Sequence, residues 1–171
     1  MMQKWIKKLI DASKPASSKL PDIPNAVISI LDSELKSPYI SAECSRRPEE
    51  ELDQFAMAFT CYILWLVKIS LESKMGPEQI DLIFKDIHKL ITQCSWYQHG
   101  LFEKIWDSIQ EYLPTMRPGR QTGVLMPLVH VILAANVVGC QLSNSNDAEF
   151  NVHTMVLMKS IPEQISSLAR T

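Results

Sequence analysis

The stretch PEEELDQFAMAFTCYILWLV, residues 48–67, decides the fold class. Glu49, Glu50, Glu51 and Asp53 follow Pro48 and crowd negative charge into one turn, where the positive end of a helix dipole favours it. From Gln54 to Val67 there is no formal charge, and Phe55, Met57, Phe59, Tyr62, Ile63, Leu64, Trp65 and Leu66 surround the axis. A helix that is apolar all round must be covered on every side, so this segment is expected at the centre of the molecule. Gly76 and then Pro77 end it and start the next helix.

Working outward, the segment of about 77–93 carries Ile80, Ile83, Phe84, Ile87, Leu90 and Ile91 at spacings of three and four, a pattern continued by Cys94, with Asp81, Lys85, Asp86 and Lys89 on the other face. Gly100 predicts a corner. Leu101, Phe102, Ile105, Trp106, Ile109 and Leu113 form the next stripe, ended by Pro114. On the amino-terminal side, residues 24–36 read as a helix with Asp22 as cap and Val27, Ile28, Leu31 and Leu35 inward. Residues 37–47 read as a loop around Pro38. Residues 124–142 read as an apolar helix, 143–147 as a turn, and 148–160 as another helix, with Pro162 opening a short last one. Strand patterns are scarce. The expectation is an all-α chain, a single-domain helical bundle of roughly seven helices around the central apolar one.

Composition agrees with that class. The chain has 171 residues, 46% hydrophobic and 21% charged, with a net charge of −2, which excludes wholesale disorder and low-complexity repeats. Residues 1–12 form an amphipathic pattern: Met2, Trp5, Ile6, Leu9 and Ile10 fill one arc, and Gln3, Lys4, Lys7, Lys8 and Asp11 the other. Residues 13–23 hold Pro15, Pro21 and three serines and read as a linker; 24–171 is then the bundle. Residues 1–20 carry five lysines against one acid, a local +4 that leaves −6 on the other 151 residues. The whole-chain field is too weak for a nucleic-acid binder.

Motifs of catalysis and ligation are missing. No two of His88, His99, His130 and His153 stand four apart, none has a glutamate three residues before it, and there is no Cys-x-x-Cys. Gly-rich nucleotide loops and the Gly-x-Ser-x-Gly elbow are absent too. Cys44, Cys61, Cys94 and Cys140 are widely spaced and read as buried thiols in a reducing compartment. Only Cys44 has cationic neighbours, Arg46 and Arg47. Lys7 and Lys8 interrupt the opening apolar run, so it is not a secretory signal peptide, and a cytoplasmic location is expected. No cofactor and no metal is expected.

The leading expectation is therefore a non-catalytic interaction module, an adaptor, regulator or chaperone-like protein. Its partner-binding residues would be Lys4, Trp5, Ile6, Lys7, Lys8, Leu9 and Ile10, together with Met155 and Met158 in a carboxy-terminal third poor in charge. That third is also where a homodimer face is expected. An alternative is a pocket for an apolar or anionic small molecule. Arg117, Arg120 and Thr122 sit before a helix start, which suits an anion, with His130 and Asn136 as further polar contacts and Phe59, Tyr62 and Trp65 as its wall. A third reading is a membrane-associated protein, either through 1–12 lying on a membrane surface or through the charge-free span 124–142.

Overall fold

The structure, a computed structural model, describes residues 22–112 and 148–169. These residues are 83% helical and contain no strand. The helices are α1 (Ile23–Leu35), α2 (Pro38–Arg46), α3 (Glu49–Glu72), α4 (Pro77–Ile91), α5 (Leu101–Tyr112) and α6 (Ala148–Leu168). The expected helix over 1–12, the linker up to residue 21, the loop 115–123 and the apolar helix 124–142 lie outside the described residues.

Local chemistry accounts for where the helices begin. Asp22 caps α1, its carboxylate accepting the Asn25 N–H at 3.2 Å, and Pro24 sits in the first turn, where its missing N–H costs nothing. The loop expected over 37–47 is instead the helix α2. Ser37 Oγ accepts the Ile40 N–H at 3.3 Å and Pro38 opens the helix, so the Ser-Pro pair is a start signal rather than an interruption. The three acidic residues in the first turn of α3 follow Pro48, as their charge requires.

α3 is the hub. It packs most extensively on α6 and then α5, and also meets α1 and α4, while α1 lies along α4 and α2 against α6. Its residues from Met57 to Val67 are all buried, on every side of the axis. Among the described residues α3 is the one helix long and apolar enough to cross a membrane, and 78% of its apolar stretch is buried inside the fold. The phenol of Tyr62 donates to the backbone oxygen of Thr154 at 2.8 Å, so this buried polar group of α3 is satisfied by α6. Burial pushes that phenol well above its ordinary pKa.

α6 corrects a second expectation. A break at Pro162 does not occur: one helix runs from Ala148 to Leu168 with the proline inside it. Pro162 has no N–H to offer the Met158 carbonyl. The buried residues Phe150, Thr154, Leu157, Ile161 and Ile165 nevertheless continue at spacings of four and three across that point, and their burial against the core carries the helix through.

Candidate functional site

α6 carries two stripes of opposite character. Phe150, Thr154, Leu157, Ile161 and Ile165 face the core. Glu149, Val152, Val156, Lys159 and Glu163, spaced three, four, three and four, face solvent. Val152 and Val156 are 56% and 54% exposed, large values for β-branched aliphatic side chains on one helix face. Beside them His153 is held from two sides. Its Nε2 lies 2.8 Å from Glu34 Oε2, at the end of α1, and its ring stacks on exposed Tyr39, with centroids 4.5 Å apart. Glu34, Tyr39 and His153 thus tie α1, α2 and α6 together at the edge of the valine pair. Tyr39 is exposed on α2 against His153, and Val152 and Val156 are exposed one turn apart on α6.

The corner between α4 and α5 holds a polar cluster built on Glu103. Gly100 takes φ = +83°, a left-handed conformation that suits a residue without Cβ. Glu103, the third residue of α5, reaches back and accepts the Gly100 N–H at 2.5 Å, the acidic half of a capping box. The same carboxylate accepts from the Tyr97 hydroxyl, and it lies 3.1 Å from His88 Nε2 and 3.6 Å from His99 Nδ1. Desolvation raises the Glu103 pKa, but hydrogen bonds from Tyr97, from its own N–H, from Gly100 and from His88 outweigh it and hold the group at about 2. Desolvation, the hydrogen bond to Glu103 and the charge of Glu103 push Tyr97 up to about 12. Neither group sits near neutrality, where general acid–base work is efficient, so the cluster acts as a clamp on the corner.

That clamp has a pH signature. A carboxyl whose pKa is lower folded than unfolded adds stability that is fully present above the unfolded value near 4.5 and disappears as pH falls through about 2. Glu103 is about a third exposed, which screens the effect. Replacing Glu103 with Gln is expected to cost about 1 kcal/mol at pH 7 and progressively less between pH ~4.5 and ~2. Urea denaturation at neutral and acid pH reads this directly; equal losses at both would show that the carboxylate charge plays no part.

The three cysteines among the described residues are not activated. Burial pushes Cys61 well up and Cys94 to about 12. Cys44 is on α2 rather than in a polar loop; its burial raises the thiol more than Arg47 lowers it. Among the described residues no group of three or more His, Cys, Asp or Glu side chains is placed to hold a metal ion. Phe59, Tyr62 and Trp65 are core residues around α3. Met155 is half-buried beside the valine stripe, and Met158 packs against the core. Lys4, Trp5, Ile6, Lys7, Lys8, Leu9, Ile10, Arg117, Arg120, Thr122, His130 and Asn136 lie outside the described residues. Tyr39, His153 and Glu34 were not legible as a unit in the sequence. The Ser37-Pro38 start signal would have placed Tyr39 on a helix, but nothing local pairs residues 34 and 153.

No family model, no curated protein and no solved structure matches this chain.

Proposed function

We propose that the chain is a non-catalytic protein-interaction module, an adaptor, regulator or chaperone-like protein of the cytoplasm, built as one bundle of roughly seven helices. One observation carries this reading. Of the four large hydrophobic side chains exposed among the described residues, Val152 and Val156 lie one turn apart on α6, Tyr39 lies on α2 stacked against His153 of α6, and Leu82 lies on α4. Scattered exposed apolar residues need no explanation, but a gathered group marks a surface that another molecule covers. Met155 borders this face. The amphipathic segment with Trp5, Ile6, Leu9 and Ile10 against Lys4, Lys7 and Lys8 supplies a second contact.

The test compares affinity capture by the intact chain, by a chain carrying Val152→Asp and Val156→Asp, and by a chain lacking residues 1–20. Both valines are exposed, so the double variant is expected to melt within about 2 °C of the parent. It is expected to lose its captured partners, and the shortened chain to stay folded and bind them more weakly. Identical capture by all three chains would overturn the proposal.

A further inference from the structure

We draw no further inference here: the strongest candidate, the surface patch formed by Val152 and Val156 one turn apart on the exposed face of α6, carries none because nothing in the structure shows what covers it.

Discussion

Replacing Arg47 with Met is expected to lower the stability of the chain by about 3 kcal/mol. Arg47 closes the joint between α2 and α3. Its Nη2 donates to Glu43 Oε1 at 2.7 Å, its Nη1 donates to Glu51 Oε2 at 3.2 Å, and its guanidinium lies 4.5 Å from the centre of the Phe55 ring. The Arg47 and Glu43 side chains are only 3% and 5% exposed. Water therefore cannot take over when Arg47 is removed, and the Glu43 carboxylate loses a charged hydrogen-bond partner while staying desolvated. The flat guanidinium also covers the Phe55 face, a contact an ammonium does not reproduce, so Arg47→Lys should recover only part of the loss. The diagnostic is the double substitution Arg47→Met with Glu43→Leu. It removes both members of the pair and should restore much of the stability that Arg47→Met loses. Urea unfolding followed by circular dichroism measures all three. If Arg47→Met costs no more than an exposed ion pair, under about 1 kcal/mol, the joint is not held by this pair.

Phe59→Ala is expected to cost about 3–5 kcal/mol, a large part of the stability of a domain this size. Phe59 is fully buried on α3, between the rings of Phe55 at 6.3 Å and Tyr62 at 6.5 Å. The neighbours are themselves held: Phe55 also meets Phe150 of α6 at 5.8 Å, and Tyr62 is bonded to Thr154. A site walled by such side chains cannot collapse onto the space left by a phenyl ring, so the cavity penalty adds to the lost burial. Phe59→Leu, which refills most of that volume, should cost distinctly less. The contrast is Val152→Ala on the exposed face of α6, expected within about 0.5 kcal/mol of the parent. Equal losses at Phe59 and Val152 would contradict the central position of α3.

The two substitutions differ in how visible their causes are in the sequence. Phe59 is legible at once, because fourteen uncharged residues from Gln54 to Val67 admit no orientation that leaves the helix half wet. Arg47 is not. Read in order, Ser45, Arg46 and Arg47 look like solvated loop, and only the folding of α2 places Arg47 four residues after Glu43 and four before Glu51 in bonding reach of both. α2 itself hides for the same reason. Ile40 is its one fully buried aliphatic residue, too few to set up a helical period, so its cap is the only local signal. The acid–imidazole–phenol corner around Glu103 is half visible: Gly100 marks the turn, while His88 arrives from the preceding helix.

Helical periodicity and charge placement, both properties of neighbours along the chain, thus determined the all-helical class, the central place of residues 54–67 and the starts and faces of α1, α4 and α5. Contacts between distant residues were left to the tertiary structure. It decided that α6 runs on through Pro162, that Glu34 and His153 meet across 119 positions of sequence, and that Val152 and Val156 stay at the surface while Leu157 and Ile161 do not. The reason is physical: burial of an aliphatic side chain is favourable on either face of a helix, so the choice of face belongs to whichever helices arrive to cover it.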